Sequence, residues 1–188
     1  MNLPEALKAS EYKNVLGRHK LTEVASLEDF PEQIRTRLIQ HLVDRLGDEY
    51  YLRLLFVSGQ IIDFDEIKHI DQNPKNYVYR AVYRVSDLEK GIASYDTSID
   101  LNNNGDVVAE IKIPSVRHSP EKADFISLNS MYRRVLELRM KPTSVRLGFS
   151  GDDDAIVFRF TQELRPMDGA LILSKSIVFS AHTGKILG

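Results

Sequence analysis

The chain has 188 residues, no cysteine and no tryptophan, and its 25 Lys and Arg against 27 Asp and Glu leave a formal net charge of −2. Without cysteine there is no disulfide framework, no cysteine-ligated zinc or iron–sulfur cluster and no thiol nucleophile. The near-neutral charge provides no global field toward nucleic acid or anionic lipid, and no apolar run approaches the ~20 residues of a membrane span, so neither is an expected partner.

The N-terminal part of the chain is predicted to form a helical extension over residues 1–28. Residues 4–16 have a helical composition, and Pro4 suits a first helical turn, where an N–H would have no partner. Residues 1–5 carry neither the basic nor the apolar region of a signal peptide, so a cytoplasmic location is expected. Export stays open if the N-terminus has been trimmed.

A strong helix follows, because apolar residues recur every four positions from Phe30 to Leu46. Ser26 can cap its start, and Gly47 is expected to end it. The period then changes to two. This predicts a strand over residues 51–57, a turn at Ser58-Gly59 and a returning strand over 60–64.

Further alternating segments predict the rest of a first β-meander. Strands are expected at 77–85, 92–101 and 107–113, with a turn at Asn104-Gly105. A second helix is expected to begin near Pro120 and to end at Lys141-Pro142. Strands follow it at 144–149, 155–164, 170–180 and 185–187.

This order of helix, strands, helix and strands predicts an α+β fold, with helices packed on one face of antiparallel sheet. Two tandem helix-plus-meander units are expected over residues 29–116 and 117–188, and together they can form one compact body. Three ordered echoes indicate an internal duplication. They pair residues 52–59 with 145–151, residues 77–82 with 156–160, and residues 98–101 with 176–179.

Two segments resemble PepSY domains. The ending, residues 177–187 with its Thr-Gly turn, looks like the last hairpin of that family, and residues 27–34 are similar to its entry into the helix. The chain departs from the family at Ser180 and Ala181, where the usual turn aspartate is absent. The resemblance, which extends to cystatin-like α+β domains, implies a helix packed on an antiparallel sheet, an inhibitory or protein-binding role and no catalytic residues.

The polar segment before and after Gly105 is a candidate metal site. Oxygen-bearing side chains at alternate positions match the first half of a calcium loop, and the candidate ligands are Asp100, Asn102, Asn104 and Asp106. The match fails at the bidentate acid, because Ile111 occupies that position. The alternative is a polar hairpin turn in which Asn104-Gly105 supplies the positive φ.

The other residues that could carry chemistry are expected to be surface residues without a catalytic or metal-binding role. Three aspartates at 152–154 predict an acidic loop tip, and the five histidines show no local metal-ligand spacing. The sequence contains neither a GxSxG elbow nor a glycine-rich phosphate loop, so no cofactor is expected. From Lys112 to Phe149, eight basic residues stand against three acids, which indicates a solvated basic helix or a face for an acidic partner.

The leading hypothesis is a non-catalytic protein-binding module of inhibitor, immunity or regulatory type, which binds another protein at a sheet edge or sheet face. The alternative is a small-ligand-binding protein or an enzyme, with a cavity between the helix and a curved sheet. The side chains predicted to line that cavity are Tyr79, Arg80, Tyr83, Arg159 and His182. A calcium-dependent module is the third hypothesis, and a homodimer stays open.

Overall fold

The structure, a computed structural model, describes residues 20–63, 78–164 and 173–187. Within these ranges lie the helices α1 (Glu32–Leu46), α2 (Asp48–Tyr51) and α3 (Leu128–Glu137) and two 3₁₀ turns, Leu27–Asp29 and Pro120–Lys122. The strands are β1 (Lys20–Val24), β2 (Leu55–Asp63), β3 (Tyr79–Asp87), β4 (Ile92–Leu101), β5 (Val107–Ala109), β6 (Ser144–Ser150), β7 (Ala155–Leu164), β8 (Leu173–Ser180) and β9 (Ile186–Leu187). The predicted α+β fold is confirmed.

The strands form two sheets in which hydrogen-bonded neighbours follow chain order. One sheet contains β1 to β5, and the other contains β6 to β9. The described pairings are antiparallel, as expected for strands joined by short turns. Each sheet is therefore a meander associated in sequence with one long helix, although the first has an additional strand, β1, before its helix. The internal duplication stays a prediction.

The described residues divide into two compact units that interleave along the chain. The first contains residues 20–39, 56–63, 78–83 and 98–111, and the second contains residues 40–55, 84–97, 112–164 and 173–187. The division of the chain into domains at residues 1–28, 29–116 and 117–188 stays a prediction. The largest fully buried side chains of the first unit are Tyr83, Leu38, Ile99, Leu101 and Ile111, and those of the second are Phe158, Phe160, Phe179, Leu42, Leu46, Ile92 and Ile113.

Helix α1 confirms the prediction from four-residue spacing. Its buried stripe consists of Ile34, Leu38, Leu42 and Leu46, and Gly47 follows with a φ of 80°. The cap at Ser26 belongs to the preceding 3₁₀ turn. The Ser26 hydroxyl accepts from the Glu28 N–H at 3.3 Å, and the Asp29 carboxylate accepts from the Ser26 N–H at 3.0 Å, which completes a capping box.

The predicted hairpin at Ser58-Gly59 is wrong. Strand β2 passes through both residues without turning, and it begins at Leu55 and not at Tyr51, which is the last residue of α2. Gly59 is instead the point at which the strand lies against an aromatic ring: an ideal Cβ there would lie 2.5 Å from Cζ of Phe30. A glycine inside a strand marks a close approach as readily as a turn, and short-range pattern does not distinguish the two.

Replacing Gly59 with alanine is expected to destabilise the protein by about 1–3 kcal/mol, because the new methyl group overpacks a buried aromatic cluster. The Phe30 ring has little freedom to move, since it contacts Phe56 and Tyr79 edge-on. Gly148→Ala is the matched control, because a Cβ there meets Val157 only at 3.8 Å. Urea unfolding of both variants tests this, and equal stability losses would contradict the overpacking argument.

Two further boundaries differ from the predictions. β1 lies within residues 1–28, where periodicity predicts no strand, and it pairs with β2 from Lys20↔Asp63 to Val24↔Gly59. The helical prediction for residues 4–16 lies outside the described residues. The second helix begins at Leu128, where the Ser127 hydroxyl caps it, and Pro120 starts only a 3₁₀ turn. In the described ranges, none of the helices combines the length and apolar character needed to cross a membrane.

Candidate protein-binding surface

The predicted cavity residues on β3 lie on opposite faces of that strand. Tyr79 and Tyr83 are buried and make edge-on contacts with Phe30 and Phe56, at centroid distances of 6.1 and 5.8 Å. Arg80 projects from the other face, because side chains alternate along a strand. The two tyrosines therefore belong to an aromatic core and do not share a cavity wall with Arg80.

His182 is buried in the turn after β8 and is held on both ring nitrogens. Nδ1 lies 3.0 Å from the Asp124 carbonyl oxygen, and Nε2 accepts from the Ile156 N–H at 3.3 Å. Its ring stacks on Phe125, at 4.9 Å between centroids. Burial lowers the pKa of His182, partly offset by the bond to Asp124. These contacts hold the turn against neighbouring segments of the chain. Arg159, the remaining residue of the predicted cavity, is exposed on β7.

Three of the four candidate calcium ligands, Asp100, Asn102 and Asp106, accept hydrogen bonds from protein donors. Both carboxylate oxygens of Asp100 accept from Arg80, at 2.7 and 2.8 Å. Asn102 Oδ1 accepts from the backbone of Asn104 and of Asp106, as in an Asx turn, and Gly105 has a φ of 84°. No group of three or more His, Asp or Glu is placed to hold a metal ion among the residues that the structure describes. The calcium site stays a prediction, and the observed geometry is that of a hairpin turn.

The acidic loop at 151–154 contains one aspartate with a structural role. The Asp154 carboxylate accepts from the Ser115 N–H at 2.8 Å and from Arg45 at 3.1 Å, and the Lys122 ammonium donates to the Asp154 carbonyl at 2.8 Å. Asp152 and Asp153 are exposed, as predicted for a loop tip. Asp154 therefore fixes the β6–β7 turn to two other segments of the second unit.

Strand β6 is an outer strand of its sheet. It pairs with β7 over all seven residues, from Ser144↔Thr161 to Ser150↔Ala155, without a shift in register. The other outer strands are shorter, with five residues in β1, three in β5 and two in β9. Among the described strands β7 is the only neighbour of β6, so its other side, here named the β6 edge, presents backbone donors and acceptors that could pair with another strand.

An apolar groove of about 170 Å³ lies beside the β6 edge. Its lining, here named the edge groove, consists of Tyr132 from α3, Phe160 from β7, and Pro142, Thr143, Ser144 and Val145. Tyr132 and Val145 are 43% and 41% exposed, and Leu136, one turn after Tyr132, is also exposed. Exposed apolar side chains that cluster beside a strand edge without a described neighbour are a feature of protein-binding surfaces.

The opposite face of β6 carries an unusual charge arrangement. Arg146 lies directly across from Arg159, and both side chains are exposed. Neither makes a salt bridge to an acid in the described part of the chain. Like charges in directly opposed positions destabilise a strand pair unless an anion compensates them. In the sequence, Arg146 is one of the eight basic residues between Lys112 and Phe149 and Arg159 is a predicted cavity residue, but their pairing depends on the register of β6 with β7.

Comparisons with known proteins add nothing to this geometry, since no protein-family model, curated protein or solved structure matches the chain. The PepSY-like and cystatin-like resemblance stays a prediction.

Proposed function

We propose that the protein is a non-catalytic protein-binding module of inhibitor, immunity or regulatory type, and that its partner adds an extended segment to the β6 edge. The observation that carries the proposal is a seven-residue outer strand in uninterrupted register. Natural sheets usually protect such an edge with proline, a bulge, an inward-pointing charge or a covering element. β6 contains no proline, and the only charged side chain on it is Arg146, which points away from the edge groove.

Strand addition accounts for the two features together. The backbone groups of the β6 edge would supply main-chain hydrogen bonds to a partner strand, and these are independent of the partner's sequence. The edge groove would receive its alternate side chains and so provide selectivity. The exposed Tyr132 suits this role, because its large, rigid ring buries much area at low entropic cost.

The variant Val145→Lys is expected to abolish partner binding while the protein stays folded. Val145 is already 41% exposed, so we expect its replacement to change the free energy of unfolding by less than about 1 kcal/mol. A lysine in the edge groove places a charge where an added strand would bury an apolar side chain, which is the device that natural edges use against pairing. Recovery of the specific partner in affinity purification, followed by cross-linking mass spectrometry, is expected to fall roughly tenfold or more.

Ile186→Lys is the matched control. Ile186 lies on β9, the other outer strand of the same sheet. It is 50% exposed and lies across from Phe179 of β8. It adds the same charge to the same face of the sheet but leaves the β6 edge unchanged. Equal partner recovery by the wild type and Val145→Lys, or cross-links that avoid residues 142–150, would overturn strand addition at β6.

A further inference from the structure

We infer that the segment bound at the β6 edge alternates apolar and acidic side chains, with a carboxylate placed beside Arg146 and Arg159. This inference rests on the proposed function, because it names the chemistry of the partner at the same edge. It is carried by three features of the second unit: the alternation of faces along β6, the opposed arginines and the absence, among the described residues, of an acid that pairs with them.

The two faces of β6 require different side chains from an added strand. Val145 lies across from the buried Phe160 and borders the edge groove, whereas Arg146 lies across from Arg159 on the other face. Consecutive residues of a strand point to opposite faces, and cross-strand neighbours share a face. A residue paired with Val145 would therefore meet the edge groove, and its neighbour would meet Arg146.

The first sheet shows how this protein compensates arginines on a sheet face. Arg80 and Arg84 on β3 each face an aspartate on β4, Asp100 and Asp96, in bidentate pairs with distances of 2.6 to 2.8 Å. The planar guanidinium matches a carboxylate with two parallel hydrogen bonds.

In the second sheet, the residue beside Arg146 is Arg159, and Arg159 in turn faces Val178 on β8. β6 and β7 thus offer no acid at this level of the sheet. Arg146 has β7 on one side of its strand, and on the other side no described strand lies next to it. A partner strand with Asp or Glu at that position would complete the arginine–carboxylate pattern.

A second copy of the chain fits this position less well. The sequence of β6 is Ser-Val-Arg-Leu-Gly-Phe-Ser, so pairing of β6 with another β6 brings no carboxylate to Arg146. In the register centred on Arg146 it would place two like charges in opposition. Charge complementarity therefore selects an acidic extended segment as the occupant.

Three capped nine-residue peptides test the inference. All have valine at alternate positions, and the residues between are glutamate in one, glutamine in the second and lysine in the third. Fluorescence anisotropy measures their affinity for the full chain, and amide chemical shifts of the ¹⁵N-labelled protein locate them. We expect the glutamate peptide to perturb residues 144–150 and to bind roughly tenfold more tightly than the glutamine peptide, with the lysine peptide weakest.

Variants separate the acidic preference from strand addition itself. Arg146→Gln is expected to reduce the preference for glutamate over glutamine to less than about threefold while the glutamine peptide still binds. Arg133→Gln, which removes an exposed arginine from α3, is expected to keep the full preference. Val145→Lys is expected to abolish the binding of all three peptides.

The outcomes distinguish the inference from the proposed function. Equal binding of the three peptides at β6, abolished by Val145→Lys, would overturn the acidic partner and leave strand addition in place. Peptide binding that is absent, or that Val145→Lys does not change, would overturn both. Sedimentation that shows a dimer of the wild type and a monomer of Val145→Lys would assign the β6 edge to a second copy and overturn the acidic partner.

Discussion

Replacing Arg80 with alanine is expected to lower the free energy of unfolding by about 2–4 kcal/mol, because it leaves a buried carboxylate without its counter-charge. The Asp100 side chain is only 9% exposed, and both of its oxygens accept from Arg80. Arg80 itself is 33% exposed, so water tempers the loss but cannot reach most of the Asp100 carboxylate. Urea unfolding near neutral pH measures the effect.

Arg84 provides a matched control within the same pair of strands. It binds Asp96 in the same bidentate geometry, at 2.6 and 2.7 Å, but both partners of that pair are well exposed. Exposed ion pairs contribute little to stability, since water solvates the separated charges. We expect Arg84→Ala to cause a small fraction of the loss caused by Arg80→Ala. Equal losses in the two variants would show that burial of Asp100 is not the cause.

A second control asks whether the cost comes from the unpaired charge. Replacing both members of the buried pair with apolar residues, Arg80→Met with Asp100→Leu, removes the stranded carboxylate together with its partner. We expect this double variant to recover much of the stability lost in Arg80→Ala, because a well-packed apolar pair often substitutes for a buried ion pair. A double variant as unstable as Arg80→Ala would contradict the charge argument.

The parts of the fold that could be predicted depend on short stretches of chain. Helix α1 has a buried residue at every fourth position, so its face is visible in 15 residues of sequence. Strand β7 has the predicted bounds, because the flanking turn residues and its β-branched and aromatic content indicate the same segment. Gly59 shows the limit, since a glycine that admits the Phe30 ring has the same local sequence as a turn.

The candidate binding surface could not be predicted, because it depends on register and on sheet order. Asp100 follows Arg80 by 20 residues, and Arg159 follows Arg146 by 13, so neither relation has a local periodicity. Alternation places Arg80 and Arg84 on one face of β3 but does not say which side chains lie across from them. That β6 lies at the outside of its sheet is likewise a property of the strand order and not of the sequence of β6.

The arginines of the two sheets have different surroundings. In the first sheet, Arg80 and Arg84 on β3 are neutralised by aspartates on the neighbouring strand, which removes any need for an external anion. In the second sheet, Arg146 and Arg159 have no such partner among the described residues, and Arg146 lies on an outer strand whose far side no described strand pairs with. An uncompensated charge beside unpaired backbone costs stability in the free protein and becomes favourable only when a partner binds.

The pH dependence of stability is expected to report on His182. Nδ1 faces a carbonyl oxygen, which can only accept, so we assign the proton to Nδ1 and leave Nε2 as the acceptor for the Ile156 N–H. If Nε2 were also protonated, its N–H would face the Ile156 N–H, and two donors would then meet in a buried site. Burial is the main cause that lowers the pKa of His182, and Lys122 lowers it further, whereas Asp124, Asp154 and Glu121 act in the other direction.

The sign of the effect follows from the lowered pKa. As pH falls below about 6.5, the unfolded chain binds a proton at this histidine before the folded protein does. This lowers the free energy of the unfolded state relative to the folded state. The stability from neutral His182 is complete above that pH and is lost as pH falls through the folded-state pKa. Urea unfolding of the wild type between pH 8 and 5 is expected to show this loss, and His118→Gln, which removes an exposed histidine, is expected to keep it.

The variant His182→Phe is expected to lose about 2–3 kcal/mol at pH 8 and to show a flatter pH dependence than the wild type. Phenylalanine keeps the stacking on Phe125 but leaves the Ile156 N–H and the Asp124 carbonyl without their hydrogen bonds. The difference between the two proteins should therefore be largest at pH 8 and shrink toward pH 5, because the wild type loses stability that the variant never had. A difference that stays constant over this range would show that His182 binds its proton equally in the folded and unfolded states, which would contradict the lowered pKa of the folded protein.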